Sequence, residues 1–315
     1  MRRATISLLA LVVAFAARAD SIFVSDERGD DLRVISAADH QVVAAIPVGK
    51  RPRGMSLSAD RKTVLVALGD EDAVALVEVA GRSILKKLSV GRDPEQVAVS
   101  PDGKLLYVSN EAASTCTAVE VASGRVAFVA PVGTEPEGVG VTPDGSMVFV
   151  TGESTDDVTV LDARSGAVLG TIRVGARPRW VAFSPDGLEA FVTAEVGGTF
   201  SVLDVAARRV KAAVRIGNGH TKPDGLAVSP DGGRVYLSEG RGAAVSVVDR
   251  RARKVVARLR VGERPWGIAL SPSGARLYTA NGGSDDVSVV DIEAGKTIAT
   301  VAVGKKPYAV LYVPQ

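Results

Sequence analysis

The chain has 315 residues, is 46% hydrophobic and 23% charged, and carries 38 basic against 36 acidic side chains, a formal net charge of +2. That balance excludes a strongly charged disordered chain and gives no electrostatic case for nucleic-acid binding. One cysteine, Cys116, excludes an internal disulfide, so stability must come from packing.

The first predicted element is a secretory leader over residues 1–19. Arg2 and Arg3 make a basic n-region, Ile6 to Phe15 is apolar but too short to span a bilayer, and Ala17-Arg18-Ala19 is an A-x-A cleavage site. Cleavage after Ala19 would leave Asp20 as the mature N-terminus and a protein that is periplasmic or secreted, with no membrane span. The leader holds Arg2, Arg3 and Arg18 and no acid, so the mature chain would carry 35 basic and 36 acidic side chains.

Residues 20–315 then read as one repeating domain. A Val-Gly-x-x-Pro pattern recurs, with prolines at Pro52, Pro94, Pro136, Pro178, Pro223, Pro265 and Pro307, separated by 42 residues except for one gap of 45. Periods of this length with four apolar runs per unit indicate propeller blades. The second full unit shows the four: Gln96 to Ser100, the turn Ser100 to Gly103 (SPDG), Leu105 to Ser109, Thr117 to Val121, the turn Ala122 to Gly124, and Val126 to Val132. Pro, Asp and Gly suit a type I turn, and alternation such as Asp156 to Asp162 (DDVTVLD) has the strand period of two. The mature chain opens on a second strand, Ser21 to Ser25, and closes on a first strand, Tyr308 to Val313. The prediction is therefore an all-β, seven-bladed β-propeller with four antiparallel strands per blade. It is closed by a blade of three N-terminal strands and one C-terminal strand, which hides the free edges of an open array.

At this point the residues resemble a known family. Tyr107 to Asn110 (YVSN), Phe149 to Gly152 (FVTG), Phe191 to Ala194 (FVTA) and Tyr278 to Asn281 (YTAN), together with the SPDG, VGxxP and VSVVD runs, resemble the YVTN-type β-propeller repeat. Arg51 to Gly54, Glu135 to Gly138 and Arg264 to Pro272 (RPWGIALSP) look like the subgroup associated with pyrroloquinoline-quinone-dependent alcohol catabolism. The resemblance implies a periplasmic accessory to a quinoprotein dehydrogenase system, with that dehydrogenase as a partner. Acidic rim residues, Asp93, Glu95, Glu135 and Glu137 among them, would suit a cation or a basic partner such as an electron-transfer cytochrome. The chain is expected to be a monomer, and no cofactor is assigned to it.

The repeat register also maps the rim on which the loops between blades meet those joining second and third strands. Flanking the seven prolines are Arg51 and Arg53, Asp93 and Glu95, Glu135 and Glu137, Arg177 and Arg179, Lys222 and Asp224, Arg264 and Trp266, and Lys306 and Tyr308. The equivalent second-loop position holds Glu27, Gly69, Glu111, Glu153, Glu195, Gly240 and Gly282. The expectation is a bipolar rim. An acidic arc of Asp93, Glu95, Glu111, Glu135, Glu137 and Glu153 would face a cationic-aromatic arc of Arg264, Trp266, Lys306, Tyr308, Arg51 and Arg53. Arg51, Arg53, Arg177, Arg179, Arg264, Trp266, Lys306 and Tyr308 are the candidate contacts for a small anionic or aromatic ligand, because guanidinium forks bind carboxylates and aromatic rings stack. The competing structural reading is that neighbouring Arg and Glu simply pair.

Catalytic signatures are thin. His220 sits in the single insertion, NGHTKPDG, on the same rim, while His40 lies on the opposite rim, so the two histidines cannot form a zinc or copper cluster. An alternative reading is an enzyme resembling the seven-bladed lactonases, using Glu111, Glu153 or His220 as acid or base; another is a protein-docking scaffold. Asp162, Asp204, Asp249 and Asp291 read as turn caps, the Asp30-Asp31, Asp156-Asp157 and Asp285-Asp286 pairs as solvated turns, and Cys116 as a packed core residue. No metal site is expected.

Overall fold

The computed structural model describes residues 20–218 and 221–315. The predicted leader and His220 lie outside the described residues. The remainder forms seven four-stranded antiparallel sheets. Blade 1 is the closing blade, with Pro307–Val313 hydrogen-bonded to Ser21–Asp26, then Asp31–Ser36 and Val42–Pro47. Blades 2 to 7 follow in chain order, and their first strands are Pro52–Leu57, Pro94–Val99, Pro136–Val141, Pro178–Phe183, Pro223–Val228 and Pro265–Leu270.

The core lies between blades. Second and third strands are buried on both faces; Phe23, Leu32 and Val34 of blade 1, for example, pack on Val64, Val66 and Leu68 of blade 2. Cys116 belongs to the core between blades 3 and 4 as predicted, with burial pushing its thiol up to about 12. Fourth strands are largely exposed and make the outer wall. The predicted turn caps are present: Asp162 accepts from the Ser165 amide at 2.8 Å, Asp204 from Ala207 at 2.9 Å and Asp291 from Ala294 at 2.8 Å.

First strands start one or two residues earlier than the apolar runs indicate, at the proline itself, as at Pro94 and Pro307. The reason is a bulge. In blade 5, Pro178 pairs with Ala194 and Val181 with Val192, so Arg179 and Trp180 together oppose the single residue Thr193. Each first strand has such a register shift after its proline. A bulge removes ladder bonds and re-aims side chains. Here it turns the residue after each proline toward the mouth of the ring.

Candidate ligand-binding site

The amides and carbonyls freed by the bulge are taken up by a hydroxyl on the second strand. Thr193 Oγ1 accepts from the Trp180 amide at 3.1 Å and donates to the Asp224 carbonyl of the next blade at 2.5 Å. Ser109 does the same for Gln96 and Glu137, and Thr151 for Gly138 and Arg179. Ser238 donates to the Trp266 carbonyl at 2.7 Å. These hydroxyls therefore fix the backbone under an inner ring of one residue per blade: Tyr308, Arg53, Glu95, Glu137, Arg179, Asp224 and Trp266. Sequence reasoning missed them, although the signal was the recurrent Ser or Thr third in the YVTN-like run.

The residues before the prolines form a second ring. Arg51, Asp93, Glu135, Arg177, Lys222, Arg264 and Lys306 all have left-handed backbone, with φ between 49° and 59°. That conformation costs a non-glycine residue about 1–2 kcal/mol. An aspartate helps hold it at four junctions: Asp30, Asp72, Asp156 and Asp285 accept from the amides of Arg51, Asp93, Arg177 and Lys306 at 2.8–3.1 Å. The Asp-Asp pairs thus brace the loop of the next blade. The second-loop residues form a third ring. Their amides bond the second ring's carbonyls, as in Glu111 to Asp93 at 2.8 Å and Gly282 to Arg264 at 3.0 Å. The three rings confirm the register read from the repeat.

The two arcs meet at the junction of blades 2 and 3 as well as across the axis, and their charges pair. Arg53 is buried, donating to Glu95 at 2.5 Å and Glu27 at 3.0 Å, with its guanidinium carbon 3.7 Å from the Tyr308 ring centroid. Arg51 engages Asp93 and also Glu95 at 2.9 Å. Arg177 pairs with Glu153 at 2.5 Å and Glu195 at 3.3 Å, Lys222 with Glu195 at 2.8 Å, and Lys306 with Glu27. Arg179 pairs with Glu137 at 2.8 Å and with Glu153. Glu135 accepts from the Ser154 hydroxyl. Across the ring, the Tyr308 hydroxyl stands 3.5 Å from Glu137, so the inner ring closes over the axis.

Burial and like charge shape the acids. Burial, then the neighbouring Glu137 and Glu111, push Glu95 up to about 8 against the pull of Arg53 and Arg51. Burial also raises Glu111 and Glu153. Asp93, Glu95 and Glu111 bring carboxylate oxygens within 4.8 Å of one another, a donor set that a divalent ion could use. Two of the three are already neutralised by guanidinium groups, which is the arrangement of an ion-pair network and not of a metal cradle.

Pairing thins at blades 6 and 7. Gly240 and Gly282 stand where blades 1, 3, 4 and 5 carry Glu, and Arg264 makes no ion pair among the described residues. Trp266 is the one inner-ring residue left half-buried. Its ring lies 5.4 Å from the Arg264 guanidinium carbon, 5.8 Å from Lys306 Nζ, 5.9 Å from the Arg179 guanidinium carbon and 5.1 Å from the Tyr308 ring. Gly282 makes room for it, since a Cβ there would come within 3.1 Å of the indole nitrogen. Beside the indole is a cavity of about 390 Å³ walled by Arg177, Arg179, Lys222, Arg241 and Arg264 and by the carboxylates Glu195 and Asp224. Arg179 is 6% exposed, and its Nε finds no hydrogen-bond partner among the described residues, with Asp224 Oδ2 at 4.0 Å. Burial raises Asp224 to about 6, opposed by Arg179. A larger cleft of about 930 Å³ opens on the opposite rim between blades 3 and 4, but its polar groups are turn residues such as Asp102, which is satisfied by Ser100 and the Lys104 amide.

Rings, bulges and closure define this molecule as a seven-bladed β-propeller with a charged mouth. Within that class, the chain belongs to the YNCE-like β-propeller family, whose model matches residues 6–314. No curated protein matches it by sequence. Among solved structures, it is similar to hydrazine synthase of Kuenenia stuttgartiensis, at 20% identity and TM-score 0.76, over 89% of this chain and 99% of that one. It is also similar to a Bacteroides fragilis protein provisionally named a 6-phosphogluconolactonase, at 19% identity and TM-score 0.79, over 93% and 98% of the two chains. A functionally unknown protein from Desulfotomaculum acetoxidans matches at 18% identity and TM-score 0.82, over 95% of this chain and 100% of that one. At these identities the likeness is one of fold alone.

Proposed function

We propose that the protein is an exported, non-catalytic binding propeller that takes a small anionic ligand, aromatic or polycarboxylate, at the mouth beside Trp266. The observation that carries this reading is the cavity beside the half-buried indole, where Arg264 makes no ion pair among the described residues and the buried Arg179 leaves its Nε without a hydrogen bond. A buried donor without an acceptor is costly and calls for a partner at the site. Arg264 and Lys306 supply charge, and the indole supplies a flat apolar wall. Arg53, by contrast, spends its donors on Glu27 and Glu95, and the Nε of Arg51, which also makes no hydrogen bond, lies 3.0 Å from an Asp70 oxygen that neutralises it. An acid-base role for Glu153 has less support, because Arg177 and Arg179 both hold its carboxylate. Export rests on the leader motif, and the link to quinoprotein alcohol oxidation on the RPRG, EPEG and RPWGIALSP segments.

Calorimetry with isophthalate and citrate tests the reading. Both should bind, and Arg264→Ala and Trp266→Ala should each weaken binding by about tenfold or more. Lowering the pH from neutral to just below 6 should tighten isophthalate binding, because Asp224, pushed up to about 6, then loses the charge that competes for Arg179 while the aromatic dicarboxylate keeps both of its own. Absence of binding by either probe, or affinities untouched by both substitutions, rules the site out.

A further inference from the structure

The outer wall is not uniform. The fourth strands of blades 1 and 3, Val42–Pro47 and Val126–Pro131, carry no charged side chain at all. Those of blades 5 and 6, Arg209–Arg215 and Lys254–Arg260, are the opposite. Residues 208–215 and 250–260 together hold ten Lys and Arg and no acid. Charges on an edge strand often serve to block edge-to-edge pairing. Two uncharged edges elsewhere in this ring show that such protection does not explain a concentration on two neighbouring blades.

The two stretches form one surface. A groove of about 460 Å³ runs between the blades, with Val214 and Arg215 on one side and Arg253, Lys254 and Arg258 on the other. Internal pairing consumes only part of the charge: Lys211 and Arg250 reach Glu189, and Arg258 reaches Glu239. Among the described residues, Arg208, Arg209, Arg215, Arg253, Lys254 and Arg260 make no ion pair. Exposed valines lie between these cations, with Val210, Val255 and Val256 at 39%, 36% and 52% exposure.

We propose that this basic belt of blades 5 and 6 docks the acidic face of a partner protein. Eight of the ten cations are arginine, whose fork matches carboxylates in two-pronged fashion. Guanidinium groups interleaved with aliphatic side chains are the composition of a protein interface, where Arg is enriched. A membrane surface would call for aromatic anchors beside the cations, and the belt has none. The belt lies on the outer wall, so it can be occupied while the mouth holds its own ligand.

The test uses residues 20–315 with poly-L-glutamate as the acidic probe, and phosphatidylglycerol vesicles and duplex DNA as the alternatives. Poly-L-glutamate should bind, with affinity falling as salt rises. The triple variant Arg253→Glu, Lys254→Glu, Arg260→Glu should weaken it by about tenfold or more. A control with the same change in net charge, Arg28→Glu, Lys62→Glu, Lys296→Glu, should change it by less than about twofold. Melting curves confirm folding, and Arg208→Ala with Arg209→Ala supplies a second, milder variant that should also weaken binding. Equal loss in the control reduces the effect to net charge and overturns the proposal. So does binding to vesicles or DNA without binding to poly-L-glutamate.

Discussion

Arg53 and Arg264 flank corresponding prolines in different blades, and their surroundings give them opposite roles. Arg53 is 5% exposed and neutralises Glu27 and Glu95 beneath Tyr308. Removing one partner from a buried ion cluster leaves the other charges uncompensated, so Arg53→Ala should cost about 3–5 kcal/mol of stability. Arg264 is exposed and makes no ion pair among the described residues, so Arg264→Ala should change stability by no more than about 0.5 kcal/mol. Chemical denaturation of both variants checks the contrast, and similar losses would refute it. The position of both residues on the mouth was legible from the repeat. Their division of labour was not, because it depends on which acids each side chain reaches: Arg51 reaches Glu95, 44 positions on. No local pattern announces that a guanidinium is already spoken for.

At the scale of the strand, the glycine two residues after the proline explains why the inner ring can form. In blades 4, 6 and 7 it faces the backbone of the next first strand: a Cβ on Gly138 would meet the Arg179 carbonyl at 2.4 Å, and one on Gly225 the Trp266 carbonyl at 2.2 Å. Backbone cannot yield as a flexible side chain does. Gly225→Ala should therefore cost about 1–3 kcal/mol by overpacking and shift the indole fluorescence of Trp266. Gly295→Ala is the comparison. Nothing lies within 4 Å of its would-be Cβ, so only its left-handed φ of 65° opposes the change, about 1–2 kcal/mol with no effect on the indole. A blue or red shift in the Gly295 variant, or none in the Gly225 variant, would contradict the account. The strands themselves were legible because SPDG turns and period-two alternation mark them from within. The bulge was not, because it is defined by pairing with Thr193 and its equivalents, a contact the first strand does not encode alone.

For the whole molecule, the count of blades and the way the ring closes followed from the spacing of seven prolines and from a chain that opens on a second strand. Closure carries more than one kind of bond. Pro307–Val313 pairs with Ser21–Asp26, the Tyr312 hydroxyl donates to Asp20 at 2.5 Å, and the Gln315 amide reaches the same carboxylate at 2.9 Å. Tyr308 adds the ring on which Arg53 rests. Val310 and Val313 are buried, and full burial of a side chain of that kind contributes about 1.5–3 kcal/mol. Loss of the strand also opens one edge of blade 1 and uncovers the cores on either side of it. Against a typical total of about 5–15 kcal/mol, those terms are large enough to unfold the ring and not merely fray it. Deleting Tyr308 to Gln315 should thus abolish cooperative melting, followed in parallel by circular dichroism for the sheets and by tryptophan fluorescence for blades 5 and 7. A truncated protein that melts at the unchanged temperature would mean the seven blades hold together without the closing strand. Fluorescence melting early while the sheets persist would mean that stability is local to each blade pair.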